Sequence, residues 1–433
     1  MSNHTVVIGA GITGLTAAHT IRKAGRAVTV IESSDRVGGR ITLLGRNGDF
    51  AESGAQGIHS NYREMLKLID EYDMRKDLIP QQQKNIGILD RHGKIKIASG
   101  IGGLLSVMNL RGKADFMKFA AKYMLFGKKF DVFETLVDVP EYDKFTASEV
   151  LSWAGRDFRD FVLRPSTDAM VNTTPEYSSF FHVLNLFKST ASSTVSTLRS
   201  GNSSLAEKMA RKLNVEFGVG AEKILLEGDK VCGVLLADGR VIKADHVVVA
   251  CPAGRAIDLF PDSWNYVADF YRSFKTAPFV MTYFFLDRPL KTQAYVYMGH
   301  GYRDAVFNMA INHGVKTPHL IKSGKSIVSA WTSFPNSAEW ISKSDEEIST
   351  RALSDIEPFF PGIAAQIEEV RIQRHQWGIG LLEPGQYGMI LEFKRRTQFM
   401  RGVSFASNDF DGVHMESGVR AGIRAGMRAL GDV

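Results

Sequence analysis

An apolar run near the start of the chain, Val6-Val7-Ile8, breaks into the spacing Gly9-x-Gly11-x-x-Gly14, and a helical pattern (Leu15, Ala17, Ala18, Ile21) follows at once. A second β-rich run, Ala27 to Ile31, ends in Glu32. Strand, glycine turn, helix, strand and acid in this order predict the opening βαβ unit of a Rossmann-like α/β domain that cradles a dinucleotide. Gly9 permits the tight turn, Gly11 lets backbone approach a pyrophosphate, and Gly14 lets helix pack on strand. Ile12 and Thr13 open the helix, whose unpaired N–H groups and positive dipole face the phosphates. Glu32, followed by Ser33, is set to accept hydrogen bonds from a ribose diol.

The next residues narrow the dinucleotide. Gly38-Gly39-Arg40 adds two exposed backbone amides and a cation for the pyrophosphate, a second grip that a nicotinamide domain does not need. With this stretch the chain resembles the FAD-containing amine oxidase, protoporphyrinogen oxidase and carotenoid desaturase superfamily. The resemblance implies non-covalently bound FAD and extends along the chain. Glu52-Ser53-Gly54-Ala55-Gln56 is similar to a segment that passes beside the flavin ring in that superfamily, with Gly54 letting backbone lie close to the ring. Ala221, in a hairpin turning at Asp238-Gly239, falls where a main-chain pair reads the adenine edge. Val247 to Pro252, including Cys251, resembles the strand that ends under the cofactor. Val403 to Ala406 followed by Met415-Glu416-Ser417-Gly418 resembles the terminal motif, a helix start aimed at the flavin C2 carbonyl. There the usual Gly-acid pair is Ser407-Asn408-Asp409, so either Asn408 or Asp409 meets the ribityl chain or the pyrophosphate.

The expected domains are an FAD-binding domain of residues 1–60, 200–265 and 386–433, and an inserted α+β substrate domain of residues 61–199 and 266–385. In the substrate domain residues 60–195 read as mostly helical, whereas 266–385 carries strand patterns suggesting an antiparallel sheet under a cavity. Gly100-Ile101-Gly102-Gly103 lacks a glycine at the third position and is no second nucleotide site.

Composition excludes several classes. The formal charge of +6 is modest for 433 residues and suggests no nucleic-acid partner. Two cysteines, Cys232 and Cys251, give no disulfide framework or metal spacing, which favours the cytoplasm. The pattern leaves the oligomeric state open.

Flavin enzymes of the resembled build pass a hydride from substrate carbon to the cofactor. Amine oxidases among them carry a lysine on the strand after the second FAD segment. Here that strand reads Phe279 to Phe285, with Val280 at the matching position. His414 is the titratable residue placed near the flavin by motif, a candidate acid or base. Trp377 and Tyr387 are candidate aromatic walls. The helical insertion is similar to protoporphyrinogen oxidases and desaturases. The expected reaction is therefore hydride removal from a carbon–carbon or ring carbon–nitrogen bond of a bulky, largely apolar substrate, with Phe284 in the cavity wall. Amine oxidation and a non-redox rearrangement are the alternatives. Phe116, Phe119, Tyr123 and Phe126 recur at helical spacing among lysines, which suits either peripheral membrane contact or an ordinary solvated helix.

Overall fold

The computed structural model of the protein describes residues 4–90, 92–134, 139–191, 193–299 and 304–431. The glycine turn joins strand β1 (His4–Ile8) to helix α1 (Ile12–Lys23), which leads to β2 (Ala27–Ile31). Three segments distant in sequence complete a five-stranded parallel sheet: β7 (Asn214–Glu216), β8 (His246–Val249) and β14 (Val403–Phe405), in the order β7-β2-β1-β8-β14. The central strands are buried on both faces, which is why Val6-Val7-Ile8 and His246 to Val249 read as near-continuous apolar runs. The last helix, α7 (Met415–Leu430), lies against α1 through a stripe of glycines. A Cβ on Gly418 would stand 2.9 Å from Thr13 Oγ1, one on Gly422 2.4 Å from the Thr13 carbonyl oxygen, and one on Gly426 2.7 Å from Thr20 Cβ. Only glycine allows so close a crossing.

The second sheet has seven strands, in the order β13 (Ile367–Gly380), β9 (Thr276–Leu286), β12 (Ile327–Thr332), β11 (Phe307–Asn312), β10 (Val296–Met298), β5 (Asn85–Leu89) and β6 (Ile95–Ser99). Two expectations change here. The 60–195 stretch supplies the hairpin β5–β6, and β5 pairs with β10 in parallel, so the sheet is mixed. The domain boundary also shifts. Helix α2 (Arg63–Glu71), assigned by sequence to the substrate side, packs through Met65, Leu68 and Ile69 on the core of α1 and α7.

Strand β9 shows its alternation only in three dimensions. Val280, Phe284 and Leu286 face helix α5 (Asp345–Ile356) with Ile348 and Ile356. Met281, Tyr283 and Phe285 face the hairpin of β3 (Leu43–Arg46) and β4 (Asp49–Glu52), beside Ala51. Phe284 is therefore not a cavity wall. It is a fully buried core residue on the opposite face, where a charge would be stranded among apolar side chains.

Candidate cofactor and active site

The glycine turn has the geometry its spacing predicts. Gly9 has φ +106°, and a Cβ there would stand 2.9 Å from the Ala250 carbonyl oxygen at the end of β8. A Cβ on Gly14 would fall 2.0 Å from the Gly9 carbonyl oxygen, which accounts for the close packing of helix on strand. Gly11 differs from both. It has an ordinary φ of −69°, and nothing lies within 4 Å of where its Cβ would project. Gly11 caps α1, no side chain caps the helix, and no acid stands in its first turn. The first N–H groups and the positive dipole end are thus left for an anion.

The second glycine pair closes on the first. The Gly38 N–H donates to the Ala10 carbonyl at 2.9 Å, Gly11 and Gly38 form a parallel bridge, and Gly38 and Gly39 take φ of +99° and +57°. Glu32 accepts from the Ala10 N–H at 2.9 Å and from the Ser34 N–H and hydroxyl at 2.9 and 2.8 Å, and Ser33 lies beside Gly220. The strand that opens with Ala221 begins next to this turn, with Val219 N–H donating to the Glu32 carbonyl. Cys251 passes over Gly9 with its backbone nitrogen 3.1 Å from the position of a Gly9 Cβ.

Arg40 links the distant segments. Its guanidinium donates to Asp409 at 2.8 Å and to the Gly378 carbonyl at 2.9 Å, and it also reaches Asn408. Asp409 is buried, so this pair compensates the Arg40 charge internally. The same turn brings in Glu52 to Gln56. Ala55 N–H donates to the Arg40 carbonyl at 3.0 Å, and a Cβ on Gly54 would overlap that carbonyl at 1.8 Å. The need for glycine at 54 thus comes from the Arg40 backbone.

Beside this segment lies a buried polar group that the sequence did not signal. Asn312, at the end of β11, caps the one-turn helix His313–Lys316 by accepting from the Gly314 N–H. That turn directs Lys316 inward, where its Nζ donates to Gln56 Oε1 at 2.6 Å. The Gln56 amide in turn donates to the Glu52 and Gly54 carbonyls. Tyr283 donates its hydroxyl to the Glu52 carbonyl at 2.9 Å and stacks on His313. Glu52 Oε1 accepts from the Asn202 N–H at 2.8 Å, while Oε2 is buried without a partner. Burial pushes the Glu52 carboxyl up to about 8, against the Asn202 hydrogen bond and the Lys316 charge. Burial also pulls the Lys316 ammonium down to about 8.

The expected aromatic and histidine residues are partly or fully buried in the structure. His414 caps α7 and is buried, with Nδ1 3.3 Å from the Tyr62 hydroxyl and Nε2 3.4 Å from Asn185 Oδ1, on helix α4 (Phe180–Thr190). Burial, reinforced by His59 and His182, pulls its imidazole down to about 3. The two ring nitrogens thus bridge Tyr62 and Asn185, and burial favours the neutral imidazole. Met415 beside it is buried in the α1–α7 core. The following Glu416 turns its carboxylate onto the Glu64 and Met65 N–H groups, at 3.0 and 2.9 Å, and so caps α2. Tyr387, in α6 (Gln386–Thr397), is fully buried, with its hydroxyl 3.0 Å from His182 Nδ1 and its ring edge-on to Phe181. It is a core residue, not a cavity wall. Trp377 packs on Gly254 and under the Arg255 guanidinium, 4.8 Å from its ring, so the two aromatics have different neighbours.

Grooves of about 420 and 190 Å³ lie elsewhere, between α1, α2 and α7 and between α6, β14 and α7. Among the described residues no cluster of histidine, cysteine or carboxylates has metal-binding geometry.

The family model of flavin containing amine oxidoreductases matches residues 12–430. Over 66 residues the chain is 50% identical to putrescine oxidase of Kocuria rosea, a match covering 15% of this chain and 14% of that protein. Two solved structures share the fold over nearly the whole length. A putative protoporphyrinogen oxidase from Exiguobacterium sp. 255-15 superposes with a TM-score of 0.77 at 17% identity, covering 100% of this chain and 99% of that one. Wild-type putrescine oxidase bound to putrescine gives 0.78 at 16%, covering 99% of each.

Proposed function

The chain belongs to the flavin-containing amine oxidoreductase family, and from that premise we propose that it is an FAD-dependent oxidoreductase that removes a hydride from a carbon bonded to nitrogen. The open space at Gly11, the uncapped start of α1 and the Gly38-Gly39 turn fit a pyrophosphate. FAD, when bound, supplies the two-electron acceptor.

The observation that carries the choice of bond is Lys316, whose Nζ is held 2.6 Å from Gln56 Oε1 in the segment assigned to the flavin ring. It supplies, from another part of the chain, the lysine that the strand around Val280 lacks. Burial favours the neutral forms of both Glu52 and Lys316 over a buried ion pair. The neutral fraction of Lys316, which grows as pH rises toward 8, accepts the proton that an ammonium substrate must lose before hydride leaves its carbon. The polar side chains of Tyr283, His313 and Gln56 around it favour an amine over a purely apolar substrate. Dehydrogenation of a bulky apolar substrate is the second reading, and the absence of a lysine from β9 favours it.

Anaerobic mixing separates the two. A diamine or benzylamine is expected to bleach the flavin absorbance, and a tetrapyrrole is not. The reverse pattern would transfer the assignment to the second reading, and turnover without bleaching would make the protein a rearrangement enzyme.

The flavin is also expected to be released by acid precipitation. Burial pushes the Cys251 thiol up to about 12, so the thiolate needed for a covalent link is disfavoured. Flavin retained in the washed pellet would contradict this.

A further inference from the structure

Helix α3 (Leu110–Phe119) continues through a widened turn over Ala120–Leu125, and it presents two apolar stripes instead of one. The inner stripe is Phe119 and Tyr123, packed on Phe158, Phe180 and Phe187. Of the four aromatics that the sequence pattern singled out, these two belong to the core, whereas Phe126 is exposed. The outer stripe is Leu110, Ala114, Met117, Ala121 and Leu125, at spacings of three and four residues, and it ends in Phe126. Leu110 and Phe126 are each 84% exposed and Leu125 is 75% exposed. Ile101, on the adjoining helix, is exposed beside them in sequence. A solvated helix face carries polar residues at such positions.

The charge around the stripe is one-sided. Residues 100–130 hold six lysines and arginines against a single acid, Asp115. Asp115 is buried and accepts from the Gly155 N–H at 2.7 Å, so it does not offset the outer face. Lys113, Lys122 and Lys129 make no ion pair among the described residues.

We propose that this face docks on an anionic phospholipid bilayer, with Leu110, Met117, Leu125 and Phe126 entering the acyl boundary and the flanking lysines meeting the headgroup phosphates. Exposed apolar residues framed by cations are the pattern of interfacial helices. A second copy of the chain is the poorer occupant, because a two-fold contact through this face would bring like charges together. Spanning is not involved: among the described residues no helix is long and apolar enough to cross a membrane.

The test is co-sedimentation of the flavin-loaded protein with vesicles of phosphatidylcholine, with and without phosphatidylglycerol, at low and high salt. Binding is expected to require phosphatidylglycerol and to weaken at high salt. Met117→Glu with Leu125→Glu is expected to weaken it by more than about tenfold, with flavin content and melting temperature unchanged. If that variant folds poorly, Lys113→Gln with Lys122→Gln and Lys129→Gln gives an independent reading. Each lysine near an anionic surface is worth roughly a fivefold change in partition, or about a hundredfold for three. The proposal is overturned by failure to sediment with anionic vesicles at low salt, or by equal binding of parent and variants. It is also overturned if, without vesicles, the glutamate variant shifts the oligomeric state, since a second copy would then cover the stripe.

Discussion

Gly11→Val is expected to abolish FAD binding while leaving the apoprotein folded. The two halves of that expectation have separate causes. Gly11 has an ordinary backbone angle, and nothing stands within 4 Å of its missing Cβ, so a side chain costs the fold little. The same emptiness is where a pyrophosphate must approach the start of α1, and a branched side chain would fill it. A rise in Kd of at least about a hundredfold, near 3 kcal/mol, is expected. The apoprotein melting temperature should stay within roughly 2 °C of the parent, as for a surface substitution. Gly14→Ala supplies the contrast, since its Cβ would overlap the Gly9 carbonyl oxygen at 2.0 Å and the fold itself should fail. A Gly11→Val protein that purifies yellow with one flavin per chain would mean that the turn does not hold the cofactor.

Lys316→Met is expected to slow flavin reduction by an amine by about 10²- to 10³-fold, in the range of a lost general base. Flavin content should be unchanged, because Lys316 touches Gln56 through a side-chain oxygen and methionine fills a similar volume. The pH dependence gives a second readout. Lys316 accepts a proton only when neutral, so the parent rate should rise as pH increases through about 8. The variant should lose that rise, apart from the titration of the substrate itself. Equal rates and equal pH profiles in parent and variant would remove Lys316 from the reaction.

What the sequence made readable, and what it hid, follows from the range of the interactions. The turn at Gly9 to Gly14, the acid at Glu32, the hairpin at Asp238-Gly239 and the helix beginning at Met415 are set by local spacing and turn chemistry, and the structure has each of them. Strand β9 was found, but its two faces were not distinguishable. Both are covered, so Tyr283 toward Glu52 and Phe284 toward α5 sit in one unbroken apolar run. Lys316 and Gln56 are 260 positions apart, and Glu416 caps a helix some 350 positions away. No local pattern encodes such pairings. His414 was identified by motif position and Tyr387 as a candidate aromatic wall, yet both are buried, and burial is a property of the assembled core.

The parallel sheet and the α1–α7 clasp also govern when this protein comes into being. Strand β1 leaves the ribosome first among the described elements, yet its sheet lacks an edge strand until residues 403–405 are made, and α1 lacks its glycine-lined partner until about residue 430. At ordinary rates of synthesis of 5 to 20 residues per second, that wait is roughly 20 to 80 s. Throughout it the nascent chain carries a dinucleotide turn without the floor that supports it. Flavin capture therefore waits for residues 403–430 to be made, and a chain lacking them carries the glycine fingerprint without the strand and helix that complete its support.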